Sequence, residues 1–309
     1  MWTTWLQRLG ISLSISLLAA CGGGDDPDPN VVEVAQRDAN FSVLAEAVVA
    51  ADLAGTLSGP GPFTVFAPTD AAFAALLTEL GVSKAQLLAD KPLLRTVLQY
   101  HVLGSKVERS AVPLGKPITP LEGGIFKIDS VGGNLVITDG RNRTARITAT
   151  DVAATNGVVH AIDKVLLPAD KTVVATAQAL PDFSILVEAV VAADLVPTLN
   201  GTGPFTVFAP TNAAFAKLLT ELGLTKEQLL ADKPLLTKVL TYHVVAGRVL
   251  KADVPVGTPI TTVQGNTFTV DATLAITDRN SRKAAITATD VLARNGVIHV
   301  IDTVILPTL

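Results

Sequence analysis

Cysteine is almost missing from this chain. Cys21 is the only one, so no disulfide can form within the molecule even where the compartment would allow it. The single methionine and both tryptophans, Trp2 and Trp5, lie in the first five positions, leaving the rest with neither. Tyrosine is confined to Tyr100 and Tyr242, and histidine to His101, His160, His243 and His299. An exposed stacking platform for sugars or bases needs surplus aromatic side chains, and this sequence has none to spare. A formal charge of −4 argues against general nucleic-acid binding, which requires a basic footprint. The apolar run Leu9 to Ala20, about twelve residues, is shorter than the twenty or so that span a bilayer.

The aromatic residues that are present come in pairs. All ten phenylalanines fall at matched positions: Phe41/Phe183, Phe63/Phe205, Phe66/Phe208, Phe73/Phe215 and Phe126/Phe268. The stretch Phe63-Thr-Val-Phe-Ala-Pro-Thr-Asp-Ala-Ala-Phe73 returns as Phe205-Thr-Val-Phe-Ala-Pro-Thr-Asn-Ala-Ala-Phe215, and Tyr100-His-Val102 returns as Tyr242-His-Val244. Later, Asn156-Gly-Val-Val-His-Ala-Ile-Asp163 returns as Asn295-Gly-Val-Ile-His-Val-Ile-Asp302. The chain is therefore two copies of one domain, 31–168 and 172–309, each long enough for its own core. These three landmarks, in this order, resemble the fasciclin-like domain family, with its two signature boxes and a Tyr-His motif between them. The resemblance covers nearly all of the chain beyond its N-terminus. It implies a twisted β wedge or sandwich flanked by short helices, and a role in adhesion to an extracellular matrix polymer, glycan or surface protein. It implies no cofactor and no catalytic centre.

The N-terminus reads as an address. Arg8 precedes the apolar run, and Leu18-Ala-Ala-Cys21 resembles the lipobox of bacterial lipoproteins. Residues 1–21 are then an export signal with its lipidation cysteine. Residues 22–30, Gly-rich and acidic, form a flexible, self-repelling tether. Multiple acyl chains on Cys21 would give stable anchoring. No acidic residue follows Cys21 directly, which points to the outer membrane, periplasm or cell surface.

Within one copy the texture runs from helical to β, an α+β arrangement. Asn40 is placed to cap a helix through Leu44 and Val48. Phe63–Phe66 alternates as a strand, and Asp70 or Asn212 opens an Ala/Leu-rich helix that stops at Gly81 or Gly223. Ser83 and Pro92 open two shorter helices. Beyond Gly104, five β segments punctuated by Gly-Gly and Asp-Gly turns suggest an antiparallel sheet: 116–121, 125–130, 134–138, 145–150 and 158–166. The junction 169–171 is short enough to limit freedom between the copies.

The chemistry-bearing residues are few. Each copy offers two histidines and no close ligand spacing of the His-x-x-x-His type, so no metal site is expected. His101, His160, His243 and His299, with Tyr100 and Tyr242, lie among apolar neighbours and read as structural. Asp70 is matched by Asn212, which keeps a capping oxygen but cannot serve as a carboxylate base. Ser42 and Ser184, at helix starts, read as caps. An esterase-like hydrolase of the cell envelope is the alternative class, although no Gly-x-Ser-x-Gly occurs. The surface candidates are two basic turns on an acidic protein: Arg141, Arg143 and Arg146 in one copy, and Arg279, Arg282 and Lys283 in the other. Matched positive turns of this kind could grip an anionic polymer.

Overall fold

A computed structural model of the chain describes residues 28–308. The expected export signal, Cys21 and the expected tether as far as residue 27 lie outside the described residues. Among the described residues, no helix is long and apolar enough to cross a membrane. The first copy runs α1 (Val31–Arg37), α2 (Ser42–Ala50), α3 (Ala54–Leu57), β1 (Phe63–Pro68), α4 (Asp70–Leu80), α5 (Lys84–Ala89) and α6 (Lys91–Tyr100). Strands follow: β2 (Val102–Leu103), β3 (Pro117–Ile118), β4 (Phe126–Val131), β5 (Asn134–Thr138), β6 (Thr144–Ala154) and β7 (Gly157–Ile162). The second copy repeats the order with α7 (Val173–Gln178), α8 (Ser184–Ala192), α9 (Val196–Leu199), β8 (Phe205–Pro210), α10 (Asn212–Leu222), α11 (Lys226–Ala231) and α12 (Lys233–Tyr242). Its remaining strands are β9 (Val244–Ala246), β10 (Ile260–Thr261), β11 (Thr267–Val270), β12 (Ala275–Thr277), β13 (Lys283–Ala293) and β14 (Gly296–Ile301).

Local chemistry sets most of these boundaries. Thr69 and Thr211, one residue earlier than Asp70 and Asn212, accept from the third amide of α4 and α10, and both helices end on a left-handed glycine, Gly81 or Gly223. Ser83 and Thr225 form capping boxes with Gln86 and Gln228. Asp90 and Asp232 cap α6 and α12, whose prolines sit in the first turn.

Two capping assignments made from sequence change. Asp38, not Asn40, caps the short 3-10 turn Ala39–Phe41, and α2 has no cap from its own flank. The carboxylate of Asp70 supplies it from across the fold, accepting from the Val43 amide (2.8 Å) and the Ser42 hydroxyl (2.5 Å). Asn212 plays this part for α8: its Oδ1 accepts from the Ile185 amide (3.0 Å), while its Nδ2 donates to Ser184 Oγ (3.0 Å). Ser42 and Ser184 are thus capped residues and not caps.

The sheet also departs from the antiparallel expectation. Its order is β2-β1-β7-β6-β5-β4-β3, and β1 runs parallel to β7, with Phe63 opposite Gly157 and Pro68 opposite Ile162. The sheet is therefore mixed, with the first and second boxes side by side at its centre. The expected strand 116–121 shrinks to Pro117–Ile118, and 158–166 stops at Ile162. Alternation along β1 splits the core in two. Val65 and Ala67 face the helices with Phe73, Leu76 and Leu94. Phe66 faces the curl of the sheet with Tyr100, Phe126, Ile128 and Ile137. Phe126 meets Phe66 and Tyr100 edge-on, at centroid distances of 5.3 and 5.7 Å. Phe268 repeats this with Phe208 and Tyr242 at 5.0 and 6.0 Å. The paired phenylalanines are core, apart from half-buried Phe63 and Phe205.

The copies are docked head to tail. Ile125 of the first joins a buried cluster with Leu250, Leu292 and Val297 of the second. Beside it, Lys127 Nζ lies 2.8 Å from Asp290 Oδ2 and 3.1 Å from Asp129. Burial opposes the charged amine, but the hydrogen bond and charge of Asp290, then those of Asp129, outweigh it and raise its pKa. Asn142 acts as a strand residue would. Its amide donates to the Leu292 carbonyl (3.0 Å) and its oxygen accepts from the Leu292 N–H (2.6 Å). Lys116 and Asp253 pair at the rim, 3.4 Å apart. Lys127→Met should leave the Asp290 carboxylate, 2% exposed, without its cation. We expect a loss of about 2 kcal/mol and faster amide exchange at Asp290–Leu292. Unchanged exchange there would mean that the pair does not hold the domains together.

Candidate functional site

The Tyr-His motif closes α6 against the sheet. The Tyr100 hydroxyl donates to the Ile125 carbonyl at 2.5 Å, so the motif fixes the residue that inserts into the second copy. Burial, followed by the charge of Asp139, raises the Tyr100 pKa well above the usual phenol range. Tyr242 bonds the Thr267 carbonyl at 2.9 Å, and burial pushes its pKa up to about 12. His101 Nδ1 donates to the Val97 carbonyl (2.7 Å), and its Nε2 accepts from the Leu166 N–H (2.8 Å). His243 makes the same bonds to Val239 (2.8 Å) and Ile305 (3.2 Å).

The second-box histidines use their nitrogens the other way round. His160 Nδ1 accepts from the Asp151 N–H (3.2 Å), and its Nε2 donates to the Val107 carbonyl (2.9 Å). His299 repeats this with Asp290 (3.3 Å) and Val249 (2.9 Å). The donated amides belong to Asp151 and Asp290, which sit in the left-handed region at φ 61° where β6 and β13 bulge. Every histidine thus has both ring nitrogens occupied by backbone, leaving none to serve as a general base or metal ligand. Among the described residues, no group of three or more His, Cys, Asp or Glu side chains is placed to hold a metal ion.

The box residues Asn156 and Gly157 are structural as well. Asn156 accepts from the Val31 amide (2.9 Å) and donates to the Leu57 and Gly59 carbonyls (2.8 Å each), tying α1 and the α3 loop to the sheet. A Cβ on Gly157 would lie 2.1 Å from the Phe63 carbonyl oxygen, so only glycine fits beside β1.

The basic turns do not form two matched exposed patches. Arg143 points inward. Its Nε and Nη2 donate to Asp139 Oδ2 (3.0 and 2.9 Å), Nη2 also to the Val165 carbonyl (2.6 Å), and Nη1 to Glu79 (2.9 Å). Asp139 is buried and also accepts from the amides of Arg141, Arg143 and Leu167. Asp278 repeats the hub through the amides of Asn280, Arg282 and Leu306. There the Arg282 guanidinium stands farther off, with Nε 3.8 Å from Asp278, and pairs with Glu221 at 2.6 Å. Arg143 and Arg282 are therefore brackets between the turn and helix α4 or α10. Arg146, Arg279 and Lys283 are exposed, and Arg141 pairs with Asp170 across the domain junction at 3.2 Å. Sequence inspection missed Asp139, Asn142 and Lys127. The Asp-x-x-x-Arg spacing shared by 139–143 and 278–282 was the available signal for the hub.

Residues 39–168 and 181–307 each match the Fasciclin domain. The chain belongs to the fasciclin domain family. Transforming growth factor-beta-induced protein ig-h3 of Sus scrofa is 31% identical over 252 residues, covering 81% of this chain and 35% of that protein. The fasciclin pair thus spans about a third of such relatives. The uncharacterized protein sll1735 of Synechocystis sp. is 46% identical over 124 residues, 40% of this chain but 89% of that protein. A stretch of about one domain's length here therefore matches nearly the whole of that protein. A fasciclin domain pair from the insect cell adhesion molecule Fasciclin I aligns over 90% of this chain and 95% of its own, at 22% identity and a TM-score of 0.43. Fasciclin domains are in general adhesion and interaction modules, a role that requires surfaces and no catalytic centre.

Proposed function

We propose that this fasciclin pair is a surface-displayed adhesion protein, exported, lipid-anchored through Cys21, and engaged with an extracellular polymer or surface protein. The observation that carries the reading is the use made of the family motifs. Tyrosines, histidines, Asn-Gly boxes and the inner arginines are all consumed in holding the two domains. What they leave for a partner is the outer surface and the junction. A lipid-anchored, acidic tether ahead of residue 30 would hold that surface away from the membrane. Beads carrying the full chain, challenged with surface extracts and a panel of immobilised matrix polymers, test the reading; retention on none of them would overturn it. A broad ester-hydrolysis screen of the same protein addresses the hydrolase alternative.

The anchor has its own test. Cys21→Ser should abolish incorporation of a labelled fatty acid in the producing cell and shift the protein out of the membrane fraction. Acylation and membrane retention that survive the substitution would rule out Cys21 as the anchor.

A further inference from the structure

The docked domains enclose a crevice of 470 Å³ that neither has alone. One wall is the turn Gly140–Asn142 of the first domain, and the other is the end of α7, with Ala179 and Leu180, and Val291 on β13. Its rim carries Arg141, Asp170 and Lys171. Behind it the Arg294 amide donates to the Lys171 carbonyl (2.8 Å), and Arg248 Nη2 donates to the Arg294 carbonyl (3.3 Å). Two basic side chains, Arg141 and Lys171, therefore line the crevice of an acidic protein, with the Arg248 guanidinium bonded behind it. Arg141 pairs there with the Asp170 carboxylate, a half-exposed contact worth little. The volume falls within the roughly 300–1,000 Å³ range of ligand pockets.

From this arrangement we infer that the junction crevice binds an anionic saccharide, a uronate-bearing chain, as the polymer of the adhesion reading on which the inference rests. Lys171 and Arg141 supply donors for a sugar carboxylate. Asp170 accepts sugar hydroxyls and repels a purely acidic chain that has none to offer. Ala179, Leu180 and Val291 form an apolar strip suited to the C–H face of a pyranose ring. Because both domains contribute walls, binding requires the docked pair. The anionic partner assigned at first to the tips of the basic turns is thereby placed between the domains, with Arg141 the one turn residue that takes part.

The test is calorimetric titration of the full chain with an oligogalacturonate, a neutral malto-oligosaccharide of equal length and poly-L-glutamate, at low and high salt. Oligogalacturonate alone should bind, more weakly as salt rises. Lys171→Glu should reduce affinity about tenfold, equivalent to one lost charge-assisted contact. Leu180→Trp should reduce it by blocking the apolar strip without a charge change. Arg146→Glu, on the exposed edge of β6, should bind as wild type does. If oligogalacturonate binds equally well to Lys171→Glu and Leu180→Trp, the crevice is the wrong site and the adhesion reading survives. If poly-L-glutamate binds as tightly, the saccharide assignment falls. Retention of the protein on other matrix polymers while no uronate binds would likewise overturn the crevice and spare adhesion.

Discussion

Arg143→Gln is expected to destabilise the first domain by about 3 kcal/mol, because it removes the cation from a buried carboxylate. Asp139 is 1% exposed, and three backbone amides hold it in place whether or not the guanidinium is present. The side chain therefore cannot turn to water when its partner is lost. The same substitution also frees the Val165 carbonyl and cuts the link to Glu79 at the end of α4. Arg282→Gln should cost less, since its guanidinium stands 3.8 Å from Asp278 where Arg143 approaches Asp139 to 2.9 Å. Hydrogen exchange read separately over residues 31–168 and 172–308 distinguishes the two. Wild-type protection in Arg143→Gln, or equal losses in both variants, would show that the hub is held by its amides alone.

Acid should unfold both domains through the same pair of residues. Burial lowers the pKa of His101 and of His243 from 6.5 to about 4. In the unfolded chain each imidazole titrates near its ordinary value, so between pH 6.5 and 4 the unfolded state binds more protons. Stability is then complete above pH 6.5, falls through that window, and levels off below it. The loss is about 3 kcal/mol per domain, at 1.36 kcal/mol for each pH unit. The cause is burial, and a protonated ring would in addition offer no acceptor to the Leu166 or Ile305 amide. Imidazole nitrogen spectra provide the direct test. His101 and His243 should be protonated at Nδ1, and His160 and His299 at Nε2. A single tautomer for all four, or ordinary titration of His101 near pH 6.5, would rule out this account.

The parts legible in the sequence were those encoded within a few residues. The strand, turn and helix of Phe63–Phe73 are set by alternation, a capping threonine and apolar spacing, and the glycine stop of α4 lies where its left-handed residue does. The structural reading of the histidines followed from their apolar flanks. The rest depends on segments far apart in the chain. Period two announces a strand but not its partner, so the parallel pairing of β1 with β7 across some ninety residues was invisible. Asp70 satisfies the amide of a helix that precedes it by more than twenty residues, which no local capping rule anticipates. Arg143 looked like a solvated turn residue because nothing nearby announces that Asp139 is buried.

The head-to-tail contact lacks its counterpart on the outer faces of the two described domains. A heterologous contact between like units can propagate into an open fibre unless the terminal faces differ from the joined ones. Here they differ at the touching positions. On the unused face of the first domain, Glu108 stands where Leu250 stands in the second, and Ala153 where Leu292 does. On the unused face of the second, Thr267, Thr269 and Ser281 replace Ile125, Lys127 and Asn142. An incoming copy would find a carboxylate in place of the leucine that meets Ile125, and no amine to neutralise the exposed Asp151 that matches Asp290. The two repeats have diverged at these positions, so the contact that joins them is not repeated on their outer faces.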